Sequence, residues 1–457
     1  MQDARKPTLR SLTTFTLTMI TVSAIMNLRE LPMMARVGME AIFFYSLAMI
    51  TFLVPSAFVT AELASTYPEN GGIYTWVTEA FGYKVGFIAI WMEWVNNVIG
   101  FPATLATIVA TLAYAISPAL GTNKYDLFGF MMIIFWFCLL FNTLGIGTSS
   151  KLNVVGALFG IIIPIIFVIT LGCVWLLRKY PIQLNTHQSI FPAMHWSNFS
   201  FFLGVLSSYA GMQITAFHAK NVKNPRREFP RAILFSTIII FLGTLLGSLS
   251  ISIVVPSQEV NLISGVIGGI ELFLNKFGLH SLNPILAYLI ALASIASLSA
   301  WVIGPARGLH DAGVHHHLPR FFAKKNKNDM PINILLLQGI IVTVLSTVFI
   351  ILPKFDIAFW FIVALTSQFT MVVYILIFFS AIRLRYTEPH QERPFRIPGG
   401  KLGIWTVCLL GIFVCSLGFI LGFTIPAQIA FSHAWTYIVM VIVADALIIG
   451  LPFIFVR

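Results

Sequence analysis

Long apolar runs recur along the whole of this chain and limit the folds open to it. The chain has 457 residues, and each run of roughly 20 residues is long enough to cross about 30 Å of hydrocarbon as a helix. Only 10% of the residues are charged, whereas a soluble domain carries about 25%. The runs also lack the alternation over about 10 residues that marks the strands of a membrane barrel. The sequence therefore predicts an all-α membrane protein.

The runs divide the chain into about twelve predicted transmembrane helices, each near the roughly 20 residues that a crossing needs. Their approximate limits are 11–37, 41–65, 85–116, 127–147, 152–178, 199–219, 232–256, 283–305, 331–352, 358–382, 402–424 and 434–456. An even number of crossings places both ends of the chain on one side of the membrane. We expect a single transmembrane domain over residues 1–457, with no soluble domain attached.

The lysines and arginines between the spans predict the orientation of the chain. Three connections rich in these residues, 220–231, 307–327 and 383–401, fall on one side, which we call the basic face, together with the basic N-terminal segment. Positively charged loops stay in the cytoplasm, so we expect the basic face and both termini to be cytoplasmic. This placement accounts for the net charge of +11 without a nucleic acid partner. The cysteines all fall within spans, so we expect no disulfide.

Two of the spans are interrupted by polar, glycine or proline residues at corresponding places. The first span contains the stretch 26–32 (MNLRELP), and the sixth contains the stretch 207–215 (SSYAGMQIT). Such matched interruptions indicate the binding site of a secondary transporter, because unwound backbone exposes N–H and C=O groups to a small polar solute. The match suggests two five-span repeats, at about 11–178 and 199–382, followed by extra helices at about 402–456.

The residues at these breaks are the first candidates for binding a solute. Gly211 lets the backbone approach a ligand closely, and Pro32 removes a backbone donor and favours a broken helix. The alternative at Gly211 is a kink filled by a neighbouring helix. The candidate binding residues at the breaks are Ile25, Met26, Asn27, Glu30, Tyr209, Ala210, Gly211, Met212 and Gln213.

Two acidic residues inside spans are candidates for proton coupling or gating. A charge at mid-membrane costs at least about 2.5–3.5 kcal/mol on insertion scales, so such residues face a cavity or pair internally. Glu30 is a candidate either to bind a cation or proton or to gate the path, and the alternative is a structural pair with Arg29. Glu93 is a candidate proton site because burial disfavours a charged carboxylate. The alternative for Glu93 is a satisfied internal hydrogen-bond network.

Spans 3 and 8 add polar and aromatic side chains that we expect to face the protein interior. Trp94 and Asn97 accompany Glu93 in span 3, and Ser297 and Trp301 lie four residues apart in span 8, on one helical face. We interpret them as candidates for substrate binding, with plain packing as the alternative for the span 8 tryptophan. The sequence shows no metal-ligand spacing, nucleotide loop or nucleophile elbow. We therefore expect no cofactor, no metal ion and no enzymatic activity.

Several short motifs occur in a fixed order along nearly the whole chain. They are Ala61-Glu62-Leu63, Tyr67–Gly72 and Trp76 around the end of span 2, Ser208–Met212 and Asn224–Ala232 in and after span 6, Ala300–Gly308 in span 8, and Pro394–Gly400 before span 11. Together they resemble the amino acid–polyamine–organocation superfamily, and within it the bacterial glutamate/GABA antiporter branch. Each motif alone is weakly specific, whereas the ordered set is specific.

The resemblance implies a LeuT-like fold, with a five-plus-five inverted repeat and two added C-terminal helices. It also implies amino acid exchange across the bacterial inner membrane, with the substrate held at the breaks in spans 1 and 6. Five residues occupy positions that match the branch's motifs, namely Glu30 and Pro32 in span 1, Tyr209 and Gly211 in span 6, and Trp301 in span 8.

Two departures from the branch bear on substrate choice. Ser297 stands at a position that is often acidic in glutamate/GABA antiporters, and Gln213 stands where a glutamate would follow the span 6 glycine motif. The resemblance therefore leaves open a glutamate/GABA-like or a neutral amino acid substrate.

Three functions remain open at the level of sequence. The first is an amino acid antiporter that works by alternating access. The second is a proton-coupled symporter of the same fold, with Glu30 or Glu93 as proton carrier. The third is a membrane-embedded amino acid sensor. The expected partners are small amino acids and membrane lipid, with no nucleic acid, and assembly into a homo-oligomer is left open.

Overall fold

The chain is built from helices throughout the part that the structure describes. The computed structural model describes residues 12–26, 28, 30–35, 37–68, 72–116, 123–184, 189–192, 196–256, 265–314, 320–351, 355–424 and 434–452. Within these ranges the β-pairing is one isolated bridge, between Leu12 and Val222. The predicted all-α class is confirmed.

The α-helices of the described residues are numbered here in chain order. They are α1 Thr14–Ile25, α2 Glu30–Ala35, α3 Glu40–Ala48, α4 Val54–Thr66, α5 Ile73–Phe81, α6 Tyr83–Ile116, α7 Lys124–Asn142, α8 Ile146–Ala157, α9 Ile163–Leu177, α10 Trp196–Ser208, α11 Pro225–Val254, α12 Gly265–Lys276, α13 Asn283–Val314, α14 Ile332–Ser346, α15 Val348–Ile351, α16 Phe355–Thr387, α17 Gly400–Leu421 and α18 Ala434–Gly450. A 3-10 helix, Met212–Asn221, follows the break after α10. Short π turns, Met49–Leu53 and Leu158–Ile162, join α3 to α4 and α8 to α9, so that each pair forms one continuous rod.

Eight helices within the described ranges are long and apolar enough to cross a membrane. They are Glu40–Thr66, Tyr83–Ile116, Lys124–Asn142, Gly147–Leu177, Pro225–Val254, His280–Val314, Phe361–Thr387 and Gly400–Leu421. Shorter apolar helices are Thr14–Ile25, Ile332–Ser346 and Tyr437–Gly450. Spans 1 and 6 fall short of full length because each is broken, as the sequence predicts. The chain is a multi-pass helical membrane protein.

Spans 1 and 6 run in opposite directions through the molecule. The backbone N–H of Leu12 donates to the carbonyl of Asn221 at 3.0 Å, and the N–H of Lys223 donates to the carbonyl of Leu12 at 3.1 Å. The start of α1 therefore lies beside the end of the 3-10 helix. Glu228 strengthens this junction by accepting hydrogen bonds from the backbone N–H and the hydroxyl of Thr14. The opposite directions agree with an inverted repeat, whose bounds stay a prediction.

The three basic connections meet on one face, as the charge pattern predicts. Arg226 forms an ion pair with Glu392 at 2.7 Å, which joins the connection after span 6 to the one after span 10. Arg307 donates from Nη1 to the carbonyl of Phe217 at 3.1 Å and to Oδ1 of Asn221 at 3.4 Å. These contacts bring the connection after span 8 to the same place.

Two helices extend beyond their predicted ends. α13 continues to Val314, whereas the prediction ended at residue 305, and α16 continues to Thr387 rather than to residue 382. Arg307, predicted to lie in a loop, is therefore part of α13. The hydrogen bonds that Arg307 donates to the 3-10 helix explain the difference, because protein groups replace water as its partners there.

The helix α13 lies at the centre of the molecule and carries the span 8 candidates inward. It packs against α1, α6, α8 and the 3-10 helix. Glycines allow the close approach to span 5: an ideal Cβ on Gly156 would lie 2.2 Å from Cβ of Ala296, and one on Gly160 would lie 2.6 Å from Cβ of Ala293. Small residues at such contacts are typical of packed membrane helices.

Candidate substrate site

The first break separates α1 from α2 at the predicted place. α1 ends at Ile25, and Met26 leaves the helix with extended dihedral angles, φ −80° and ψ 124°. Helical structure resumes at Glu30. Asn27 and Arg29 lie outside the described residues, as does the side chain of Glu30. The roles predicted for Asn27 and Glu30 stay predictions.

Span 8 caps the broken end of α1. The carbonyls in the last turn of a helix have no partner within the helix. Here the indole N–H of Trp301 donates to the carbonyl of Ala24 at 3.0 Å, and the hydroxyl of Ser297 donates to the same oxygen at 3.4 Å. The structure therefore brings both predicted span 8 residues to the break in span 1. The negative end of the α1 dipole at this break favours a cationic group.

The second break separates α10 from the 3-10 helix and rests on a glycine. α10 ends at Ser208, and Gly211 adopts a φ of +132°, a region that side chains with a Cβ rarely occupy. An ideal Cβ on Gly211 would lie 2.8 Å from Cγ1 of Ile25 and 3.0 Å from Cζ2 of Trp301. Spans 1, 6 and 8 therefore touch at the breaks, as expected of a shared site.

A chain of hydrogen bonds crosses the site from span 10 to span 3. The hydroxyl of Tyr374 accepts from the backbone N–H groups of Gly211 at 2.8 Å and Met212 at 3.2 Å. The same hydroxyl donates to Oε1 of Gln213. Gln213 in turn donates from Nε2 to Oε1 of Glu93 at 3.1 Å. In this conformation a tyrosine side chain satisfies the amides that open the 3-10 helix.

Glu93 contributes the acidic group of this chain of hydrogen bonds. Its side chain is 1% exposed, and within the described ranges no lysine, arginine or histidine forms an ion pair with it. The described residues also contain no group of three His, Cys, Asp or Glu side chains placed to hold a metal ion. Gln213 is therefore the polar side chain that faces this carboxylate.

The other span 3 candidates are engaged in contacts between and within helices. The indole N–H of Trp94 donates to Oε1 of Gln338 on α14 at 3.0 Å, and Nε2 of Gln338 donates to the carbonyl of Val302 at 3.3 Å. The side chain of Asn97 donates to the carbonyl of Glu93, one turn earlier, at 2.7 Å. The structure does not direct these two polar groups at the breaks, and their roles in substrate binding stay predictions.

Two residues of the breaks pack against α11 instead. The hydroxyl of Tyr209 lies 3.0 Å from Oγ1 of Thr244. An ideal Cβ on Gly243 would lie 2.2 Å from Cε of Met26, so the Met26 side chain fills the space above that glycine. Ala210, the residue between Tyr209 and Gly211 in the sequence, is half-buried. The polar backbone groups of the breaks are engaged as well, by Tyr374 and by Trp301 and Ser297, so a ligand has to compete for them.

Sequence reasoning missed two polar residues of spans 9 and 10. Tyr374 caps the second break, and Gln338 holds the indole of Trp94. Both are fully buried side chains that carry a polar group inside a membrane span. The available signal was that a polar group inside a membrane span needs a partner within the protein.

Comparison with known proteins agrees with this architecture. The amino acid permease family matches residues 12–444 of the chain. An uncharacterized transporter of Legionella pneumophila is 40% identical over 98% of this chain and 96% of its own length. A glutamate/gamma-aminobutyrate antiporter of Lactococcus lactis is 29% identical over 95% of this chain and 88% of its own length. A probable agmatine/putrescine antiporter of the same species is 24% identical over 84% and 82%. The chain thus belongs to the amino acid permease family, in the amino acid–polyamine–organocation superfamily of membrane transporters.

Proposed function

We propose that this transporter exchanges amino acids across the membrane by alternating access, with the substrate held between the two broken helices. The observation that carries the proposal is the meeting of the breaks, where Gly211 touches both Ile25 and Trp301. Broken helices that meet in the interior leave backbone polar groups for a ligand to use. The named functions of the Lactococcus relatives support exchange as the mode of transport.

The polarity of the two helix ends fits the two charged groups of an amino acid. The carbonyl end of α1 faces the break, and a helix C-terminus favours a cation such as the α-ammonium group. The amides of Gly211 and Met212 open the 3-10 helix, and such amides favour an anion such as the α-carboxylate. Because these amides donate to the Tyr374 hydroxyl, we expect a substrate carboxylate to compete with that hydroxyl.

The side chains around the breaks support a glutamate/GABA-like or neutral amino acid as substrate. Ser297 and Gln213 supply uncharged polar groups, and Glu93 supplies a carboxylate already bonded to Gln213. A substrate with an additional positive charge would have to break the hydrogen bond between Gln213 and Glu93 to pair with that carboxylate. A zwitterion can bind while this hydrogen bond stays in place.

Counterflow in liposomes tests the proposal. Purified protein is reconstituted, vesicles are preloaded with single amino acids, and entry of labelled glutamate, GABA and neutral amino acids is followed at pH 5.5 and 7.5. We expect entry to require an internal amino acid, and the most effective internal solute identifies the substrate class. Failure of every label to enter vesicles that contain folded protein would overturn transport and favour a sensor.

A proton-coupled symporter is the second candidate, and Glu93 is the observation that favours it. A buried carboxylate without a cationic partner can bind and release a proton during a transport cycle. A symporter would fill empty vesicles when only a pH gradient is applied. In that case Glu93→Gln should abolish the gradient-driven uptake, because glutamine keeps the acceptor for Gln213 but cannot titrate.

The charge pattern supports a proposal for the membrane location and orientation of the transporter. We propose the bacterial inner membrane, with both termini and the basic face in the cytoplasm. The bacterial relatives support this location. Surrounding lipid is then a partner of the outer helix surfaces, and the sequence leaves a homo-oligomer open.

A further inference from the structure

Three glycines surround the ring of Phe217, at the basic-face side of the candidate site. An ideal Cβ on Gly72 would lie 2.6 Å from Cδ1 of Phe217, one on Gly304 would lie 3.0 Å from Cδ2, and one on Gly308 would lie 2.8 Å from Cε1. We call these three residues the glycine socket. Phe217 is 6% exposed, and the ring occupies space that any larger residue at these positions would take.

The glycine socket adjoins the same faces of α6 and α13 that line the candidate site. Gly304 and Gly308 follow Trp301 by three and seven residues along α13, and such spacing keeps them on one helical face. On α6, Ile90 precedes Glu93 by three residues, and its Cδ1 would lie 2.4 Å from a Cβ on Gly308. The same faces of α6 and α13 that reach the breaks therefore also pack around Phe217, on the side of the breaks that faces the basic face.

The 3-10 helix links Phe217 to both ends of this route. It begins at Met212, next to the break, and ends at Asn221 on the basic face, where Leu12 and Arg307 hold it. A solute leaving the breaks toward the basic face between α6, α13 and this helix meets the Phe217 ring. In the glycine socket the ring is buried and packed against all three glycines.

The residue after Phe217, His218, destabilises the state in which the ring is seated in the glycine socket. His218 is 3% exposed, and among the residues that the structure describes neither ring nitrogen has a hydrogen-bond partner. The guanidinium of Arg307, which donates to the carbonyl of Phe217 at 3.1 Å, places a positive charge beside it. Burying an imidazole without partners is unfavourable, so the state with Phe217 seated carries a penalty that withdrawal of the 3-10 helix would relieve.

We propose that Phe217 is the plug that closes the transport path on the basic face, and that the unpartnered His218 keeps this closed state easy to leave. The inference rests on the proposed transport function. It assigns to Phe217, His218 and the glycine socket a role in the conformational step, and none in holding the substrate. Variants of the plug and of His218 should therefore shift access in opposite directions.

Labelling of a single cysteine measures that access without any substrate. The four native cysteines, Cys138, Cys173, Cys408 and Cys415, are replaced, and Ile90→Cys supplies a buried reporter beside the Phe217 ring at Gly308. Membrane vesicles of both orientations are treated with a membrane-impermeant maleimide. Labelling from the basic face follows the population in which the plug is withdrawn.

Phe217→Ala should raise the labelling rate from the basic face by about tenfold, which corresponds to a tenfold shift in the open population. Gly308→Ala should also raise it, because the new methyl takes space that the ring occupies. Gly129→Ala is the matched control, since an ideal Cβ on Gly129 meets nothing within 4 Å. Phe217→Leu combined with Gly308→Ala should bring labelling back toward the parent value, because leucine lacks the outer ring atoms.

His218→Leu should lower labelling below the parent value, a direction that misfolding does not produce. Equal labelling in Phe217→Ala and in the parent would overturn the plug, and so would a rise from the opposite face alone. Counterflow by the parent separates the two proposals. If counterflow fails for every solute while these labelling shifts occur, the plug stands and the transport proposal falls. If counterflow succeeds without the shifts, only the plug falls.

Discussion

At Gly211 the backbone geometry leaves room for no other residue. Its φ is +132°, and an ideal Cβ would lie 2.8 Å from Cγ1 of Ile25. Such strain costs roughly 1–3 kcal/mol, equivalent to roughly 5- to 150-fold in an equilibrium constant. Gly211→Leu adds bulk to that strain and should abolish exchange while the protein still inserts in the membrane.

The measurement is counterflow at matched amounts of reconstituted protein, with Gly129→Leu as control because its site is open. Uptake by the Gly211→Leu variant equal to that of the parent would remove the assignment of the span 6 break to the substrate site.

Removal of the Tyr374 hydroxyl should change the thermal stability of the protein by an amount that depends on bound substrate. Tyr374→Phe leaves the N–H groups of Gly211 and Met212 without their acceptor, and each unsatisfied buried donor costs about 1–3 kcal/mol. The thermal midpoint of the variant should fall without substrate. If a substrate carboxylate takes the same amides, a saturating amino acid should stabilise the variant more than it stabilises the parent.

Thermal unfolding in detergent, with and without substrate, tests this difference. Tyr386→Phe is the matched control, because that hydroxyl accepts from Trp405 at 2.8 Å on an exposed surface. A substrate-induced shift of equal size in parent and Tyr374→Phe would argue that the amides do not bind the carboxylate.

Individual residues were predictable where local chemistry alone sets the requirement. Gly211 and Trp301 stood out in the sequence because a glycine break and a tryptophan on a small face are local signals. Tyr374 did not, because its partner Gly211 is 163 residues away along the chain. Trp94 stays a predicted binding residue, and the sequence did not reveal that its N–H donates to Gln338 on another helix. Only packing decides such partners.

At the scale of helices, a buried ion cluster fastens span 10 and the loop after it to span 2. Glu62, near the end of α4, accepts hydrogen bonds from Arg385 through both carboxylate oxygens and from the N–H of Ile397 at 2.8 Å. It also forms an ion pair with Arg393 at 3.3 Å. The side chains of Glu62, Arg385 and Arg393 are 3%, 4% and 7% exposed. These contacts hold the loop that follows span 10 against the C-terminal end of α4.

A neighbouring tyrosine supports the same junction. The hydroxyl of Tyr67, just after α4, donates to Oε2 of Glu388 at 2.7 Å. Burial raises the pKa of Tyr67 well above its ordinary value, and the adjacent Glu388 carboxylate adds to the shift. The raised pKa keeps Tyr67 a neutral donor, which gives the loop a second bond to the end of α4.

Glu62→Gln should destabilise the protein strongly. The substitution leaves two buried guanidinium groups without a countercharge, and breaking a buried pair in this way costs about 3–5 kcal/mol. Glu392→Gln is the matched control, because its pair with Arg226 is 70% and 56% exposed and exposed pairs contribute about 0–1 kcal/mol. Thermal unfolding of both variants in detergent should separate them clearly, and equal midpoints would contradict a structural role for the cluster.

The limits of the elements were only partly predictable. Both breaks lie within the predicted stretches 26–32 and 207–215, although Pro32 itself belongs to α2. The extension of α13 through Arg307 was not expected, because hydropathy ends a span at the first charge. In the structure the 3-10 helix supplies carbonyl and amide oxygens for that arginine, so the helix continues among protein groups.

For the whole molecule, the charge pattern predicts a cytoplasmic basic face. In a cysteine-free background, Arg226→Cys should react with an impermeant maleimide from the cytoplasmic side, because Arg226 is exposed on the basic face. Tyr125→Cys, at the start of α7 and 73% exposed, should react from the other side. Reaction of both from one side would contradict the predicted crossings, and the reverse pattern would invert the orientation.

By itself the sequence determined that the chain is an all-α membrane protein, where two of its spans break, and which connections carry the positive charge. These properties follow from composition and from residues near one another, because the bilayer demands long apolar helices and glycine or proline interrupts them locally. The tertiary structure alone decided that Tyr374 caps the amides at Gly211, that Trp301 and Ser297 share the carbonyl of Ala24, and that Phe217 fills a socket of glycines from two segments. Those pairings join groups far apart in the chain, and they depend on how the helices pack.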